Sequence, residues 1–122
     1  MLIENLYTLD TFSNEAGKAV AAITINAGHK IFEGHFPGQP VLPGVCQLQI
    51  IKELLERATG KKLFLSEAGS CKFLQMVDPA KTNVLSITID YSCDDTAVSA
   101  DAIIKSGEVI FLKMNGNFKV VE

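Results

Sequence analysis

The chain has 122 residues, 48% of them hydrophobic, and a formal net charge of -3 from 14 acidic and 11 basic side chains. That length suits one domain, residues 1–122, with a real core, and is short for two. The charges are spread along the chain, with no basic block to track phosphates or to hold an anionic membrane surface, which argues against nucleic acid as a partner.

Cys46, Cys71 and Cys93 are odd in number, widely spaced and never arranged as CxxC. They fit reduced thiols of a cytoplasmic protein and suggest neither a disulfide framework nor a zinc knuckle. The opening MLIENLYTLDTFSNEAGK has no positive side chain before Lys18 and no long apolar core, so it lacks the layout of a secretory signal. No segment approaches the roughly 20 uninterrupted apolar residues of a membrane span. The expectation is a soluble, unprocessed protein with no membrane insertion, no internal repeat and no linker.

In chain order, Ala19 to Asn26 and His29 to Glu33 are predicted as two strands around a turn at Ala27-Gly28. A helix is predicted from Pro43 to about Thr59. Pro43 suits a first helical position, and Gly60 followed by Lys61 and Lys62 makes a stop. Val45, Cys46, Leu48, Ile50, Ile51, Leu54 and Leu55 make this helix apolar nearly all round, so it is expected to be swallowed by the sheet. Gln47 and Gln49 then need partners, because an unpaired buried amide costs about 1–3 kcal/mol. Leu85, Ile87, Ile89 and Tyr91 alternate with polar residues at the period of a half-buried strand, and Asp94-Asp95 ends the run. Thr96 to Ile104 and Val109 to Val121 are further strands joined at Ser106-Gly107, with Asn115-Gly116 read as a bulge or kink. The elements describe an α+β chain: an antiparallel sheet wrapped around one central helix.

Between the first strands and the helix lies GHFPGQPVLPGVCQLQIIKELLE, Gly34 to Glu56, which holds three of the four prolines and three of the nine glycines. Within it, HFPGQPVLPG, His35 to Gly44, resembles the active-site signature of the 3-hydroxyacyl-acyl-carrier-protein dehydratases, His-Phe-Pro-Gly-x-Pro-x-x-Pro-Gly-Val. Lys72-Phe73 resembles that family's third-strand Lys-Phe. Asp78-Pro79-Ala80 stands where the family usually carries Pro-Gly-Asp. The resemblance implies a hot-dog fold and the removal of water from a 3-hydroxyacyl thioester to give the trans-2-enoyl product, in fatty-acid, lipid or polyene-type synthesis.

The resemblance assigns His35 as the base at C2 and the Gly44 N–H as donor to the thioester carbonyl. Val41 falls where the family offers a carbonyl to the histidine ring. Val45, Gln49, Phe36 and Phe73 complete the expected substrate-binding set. The prolines and glycines would fix the loop so that His35 and Gly44 face one reacting carbon, since an ångström of misplacement costs orders of magnitude in rate.

One departure stands out. Fourteen positions after the histidine the family carries an acid, and one helical turn later it commonly carries glutamine; here Gln49 and Glu53 appear exchanged. Glutamine has no proton to give up near neutral pH, so Glu53 becomes the expected acid, leaning back over the turn of Gln49. In an apolar tunnel, desolvation would favour its protonated form. The alternative is that Glu53 is a solvated acid beside Lys52, Glu56 and Arg57.

His29 is expected at a strand edge, and a metal site from His29 and His35 has no supporting acids or cysteines. Phe32, Phe36, Phe64, Phe73 and Phe111 read as core or dimer packing, some of them lining an acyl tunnel whose depth depends on Phe73, Met76 and Leu55. Open sheet edges point to a homodimer, or a higher assembly. The resemblance adds that such dimers build composite sites, with histidine from one subunit and acid from the other. It also implies a substrate carried on the phosphopantetheine arm of acyl carrier protein, with no metal or other cofactor. Three functions remain open: a dehydratase, a non-catalytic hot-dog subunit that binds acyl carrier protein or an active homologue, and an acyl thioesterase.

Overall fold

The computed structural model describes residues 6–29, 32 and 41–121. Its strands are β1 (Tyr7–Glu15), β2 (Lys18–Ile25), β3 (Lys62–Phe73), β4 (Val84–Cys93), β5 (Ala97–Ser106) and β6 (Val109–Val121), with one helix, α1 (Gly44–Thr59), between β2 and β3. The strands form a single sheet in the order β1-β2-β4-β5-β6-β3, and every pairing is antiparallel.

Two-residue turns close the β1–β2 and β5–β6 hairpins, and three residues, Asp94 to Thr96, close β4–β5. Ala16 and Gly17 between β1 and β2 both have positive φ, 51° and 80°, the turn whose twist matches paired strands. Glycine is required at 17 for a second reason: an added Cβ would lie 2.8 Å from the Tyr91 carbonyl oxygen.

Side chains alternate about the sheet. Ile23, Leu85, Ile87, Ile89, Val98, Ile104, Leu112 and Phe118 are buried on one face, and α1 lies on that face with Ile50, Ile51, Leu54 and Leu55. Each such side chain contributes about 1.5–3 kcal/mol when fully buried. The helix touches β2, β4 and β3. β2 and β3 stand four strand spacings apart, roughly 19 Å in a flat sheet, wider than a helix. The sheet therefore curves around α1, the architecture the sequence predicts.

The helix ends where expected: Gly60 is left-handed at φ 71° and its N–H donates to the Glu56 carbonyl at 2.8 Å. Its start differs by one residue. Pro43 is the N-cap, with ψ of 147°, and Gly44 opens the helix. Nor is α1 swallowed all round. Cys46, Gln47, Ile50, Ile51, Leu54 and Leu55 face the sheet, whereas Val45 is 70% exposed.

Other expectations are corrected by the backbone. The strand expected at His29 to Glu33 falls mostly outside the described residues. Of its two described members, the Phe32 N–H donates to the His29 carbonyl at 3.1 Å, a bond between residues three apart that an extended strand does not make. Asn115-Gly116 does not bulge; β6 runs straight through it. The irregularities lie opposite, on β3, where the register skips Ser66 and Gly69. Gly116 serves the close approach of that bulged strand, since a Cβ there would sit 2.9 Å from the Glu67 carbonyl oxygen. Strand β1 is not marked by the sequence pattern. Its period is broken at Asp10, an extra residue between Leu9 and Thr11 that keeps Tyr7, Leu9 and Phe12 on the inner face.

Candidate active site

The site begins at the start of α1. Leu42, just before it, is held from two sides. Its N–H donates to the Val77 carbonyl at 2.8 Å, and its carbonyl accepts from the Gln47 side-chain amide at 3.3 Å. Gln47 is buried, and among the described residues its Oε1 has no donor. The N–H groups of Cys46 and Gln47 both donate to the Pro43 carbonyl, at 3.0 and 3.2 Å. That leaves the Gly44 and Val45 N–H groups without a backbone acceptor among the described residues. No acidic side chain occupies this first turn. No acid of the helix's own first turn therefore offsets the positive end of its dipole, which suits a developing negative charge.

Gly44 is glycine because the Phe73 ring lies on its backbone. An added Cβ would fall 2.7 Å from Cζ of Phe73. The contact brings the end of β3 to the helix start. Phe73 is half-exposed, and with Val45, Leu74 and Met76 it leaves several large apolar side chains open around the site. Val41 is partly buried.

Gln49 and Glu53 lie one turn up the helix and are hydrogen-bonded: the Gln49 amide donates to Oε2 of Glu53 at 3.0 Å. A third side chain, absent from the sequence prediction, joins them. The Tyr7 hydroxyl on β1 donates to Oε1 of Glu53 at 2.8 Å. Burial first, then the hydrogen bond to Glu53 and its charge, push the Tyr7 phenol far above its ordinary value. The phenol thus stays a donor. Glu53 is no loose surface acid: each carboxyl oxygen has a donor, one from the helix and one from the sheet. The neighbouring ion pair is separate, Lys52 to Glu56 at 3.9 Å.

Of the predicted site residues, Val41, Gly44, Val45, Gln49, Glu53 and Phe73 are described, and His35 and Phe36 lie outside the described residues. Gly44 and Phe73 are in contact, and Gln49 and Glu53 are in contact. Leu55, expected to help set tunnel depth, is fully buried in the core, and Met76 is exposed. Phe32 and Phe111 are core; Phe64 is exposed. Among the described residues no cluster of three or more His, Cys, Asp or Glu side chains is placed to hold a metal ion, and no helix is long and apolar enough to cross a membrane.

Among the described residues, a single curved antiparallel sheet with one helix on its inner face, and a glycine-opened helix end beside the third strand, define a hot-dog protein. The chain belongs to the ApeI-like family, described as ApeI dehydratase, whose model matches residues 11–108. It is similar to the 3-hydroxyacyl-acyl-carrier-protein dehydratase FabZ of Oenococcus oeni, 33% identical over 102 residues that cover 78% of this chain and 71% of that one. The corresponding FabZ of Latilactobacillus sakei is 30% identical over 97 residues, covering 74% and 69%. Among solved structures, the dehydratase heterocomplex ApeI:P from Xenorhabdus doucetiae superposes with a TM-score of 0.74 at 18% identity, over 92% of this chain and 96% of that chain. A hypothetical thioesterase from Streptococcus pneumoniae has the same fold, with a TM-score of 0.66 at 15% identity, over 94% and 85%.

Proposed function

We propose that the protein removes water from a (3R)-hydroxyacyl thioester carried on the phosphopantetheine arm of acyl carrier protein, giving the trans-2-enoyl thioester. His35 takes the C2 proton, and the electron pair moves onto the thioester carbonyl oxygen. The Gly44 N–H at the helix end receives that oxygen. The electron pair then returns to form the C2–C3 double bond as the C3–O bond breaks, and a protonated Glu53 gives its proton to the departing hydroxyl, which leaves as water while the second N–H of Gln49 donates a hydrogen bond to it. Val41 orients the histidine ring through its carbonyl. Val45, Phe36 and Phe73 bound the path of the acyl arm.

The observation that carries this reading is the helix start: a glycine pressed against Phe73, with its N–H unspent among the described residues, at the end of the His35 to Gly44 signature. The family to which the chain belongs supports it further.

We read the chain as one cytoplasmic domain that works as a homodimer. Among the described residues β1 and β3 are the open edges of the sheet, and the exposed Phe73, Leu74 and Met76 at the end of β3 favour pairing along that edge. Pairing there brings a second helix start close, as a composite site with histidine and acid from different subunits requires.

A second reading is favoured by one residue, Gln49, which stands where the dehydratase pattern carries its acid. On that reading the chain is a non-catalytic subunit that binds acyl carrier protein or completes an active homologue. One assay separates the two. The purified protein is incubated with a 3-hydroxyacyl carrier-protein thioester and followed by mass spectrometry. Loss of one water is expected. Loss of the acyl group would indicate a thioesterase, and a retained, unchanged ligand would indicate the binding subunit.

A further inference from the structure

We propose that Tyr7 is a positioning residue for Glu53: its hydroxyl holds the carboxyl against Gln49, so that the displaced acid reaches the departing hydroxyl. This rests on the dehydratase reading above. A helical turn rises about 5.4 Å, and the backward lean of a helical side chain recovers only part of it. A glutamate in place of the usual acid, one turn later, has several torsions through which to miss its target. Something must remove that freedom.

Tyr7 is placed to do so. It sits on β1 opposite Ile25, on the inner face of the sheet, and packs against the core. A tyrosine has few torsions, so the sheet backbone largely sets where its hydroxyl lies. The 2.8 Å bond to Oε1 and the 3.0 Å bond from Gln49 to Oε2 fix both ends of the carboxyl from two elements. Tyr7 and Glu53 are 46 positions apart, so the contact comes from the fold and not from helical spacing.

The charged neighbours are otherwise engaged. On α1, Lys52 pairs with Glu56, and the Arg57 guanidinium lies 5.9 Å over the Phe12 ring. On β1, Asp10 accepts from the Thr24 hydroxyl. Among the described residues no cation lies within 4.0 Å of Glu53. A salt bridge would trap the carboxylate in its charged form. A phenol can rotate its proton toward or away from the acid, and so can serve both the protonated state before transfer and the ionised state after it.

The test is a double-mutant cycle on the full chain. kcat and KM for the 3-hydroxyacyl carrier-protein thioester are measured for wild type, Tyr7→Phe, Glu53→Gln and the pair. Tyr7→Phe should lower kcat about 10- to 100-fold with KM within about twofold, as lost alignment of one proton donor predicts. In the Glu53→Gln background the same change should lower kcat no further. A second measurement leaves Tyr7 in place and needs no turnover. The protein has only two tyrosines, Tyr7 and Tyr91, and the ultraviolet titration of the Tyr7 phenol should move to lower pH in Glu53→Gln.

An equal kcat loss from Tyr7→Phe in both backgrounds, a loss carried by KM, or an unmoved phenol titration would overturn the role of Tyr7 while wild-type turnover leaves the dehydratase reading standing. A wild type that removes no water overturns both.

Discussion

At Gly44 a methyl group has no room, because Cζ and Cε1 of Phe73 would lie 2.7 and 2.8 Å from it. Gly44→Ala must displace the ring or tilt the helix start. The expected outcome is a loss of about 1–3 kcal/mol in stability, the usual cost of overpacking, and a larger fractional loss in kcat/KM. Chemical denaturation and steady-state kinetics on the same preparation would check both. The contact between Gln49 and Glu53 was legible from sequence, because residues four apart on a helix are neighbours whatever the rest of the chain does. Tyr7 was not legible. Its partner lies 46 positions away, and the extra residue at Asp10 hides the alternation that would have marked β1 as a strand with an inward tyrosine.

Elements with a clean period were read nearly to their limits. The helix stop at Gly60 and strands β2, β4, β5 and β6 follow from alternation and turn residues alone. Strands β1 and β3 were missed or only touched, because bulges at Asp10, Ser66 and Gly69 shift the pattern by one residue each time. Asn115-Gly116 was read as a local defect, although the glycine exists for the neighbouring strand. The turn between β4 and β5 carries an acid-sensitive feature. The Asp94 carboxylate accepts the backbone N–H of Thr96 at 2.8 Å, that of Ala97 at 2.9 Å and the Thr96 hydroxyl at 3.0 Å. These bonds hold its carboxyl below the usual carboxylate range. A depressed carboxyl adds stability that is present above the unfolded-state value and is lost as pH falls through the folded one. Thermal melts from neutral to strongly acidic pH should therefore show a steeper acid-side loss for the wild type than for Asp94→Ala. Parallel curves would remove Asp94 from the account.

For the whole molecule, the α+β architecture could be anticipated because only one segment of the chain has helical period and β2, β4, β5 and β6 alternate. The described site is split between the helix, β1 and the end of β3, which the curvature of the sheet brings to one helix. Its open apolar side chains, Val45, Phe73, Leu74 and Met76, and the edge of β3, unpaired among the described residues, are what the proposed second copy would cover. The central claim is that an imidazole from one subunit and the displaced carboxyl of the other act on the same thioester. Subunit complementation tests it most directly. His35→Ala and Glu53→Gln chains, each strongly impaired alone, are unfolded, mixed in equal amounts and refolded together. Random pairing leaves one intact composite site in half of the dimers, so dehydration should return to about a quarter of the wild-type rate. A mixture that stays as inactive as its parts, or a Glu53→Gln protein that turns over like the wild type, would contradict the account.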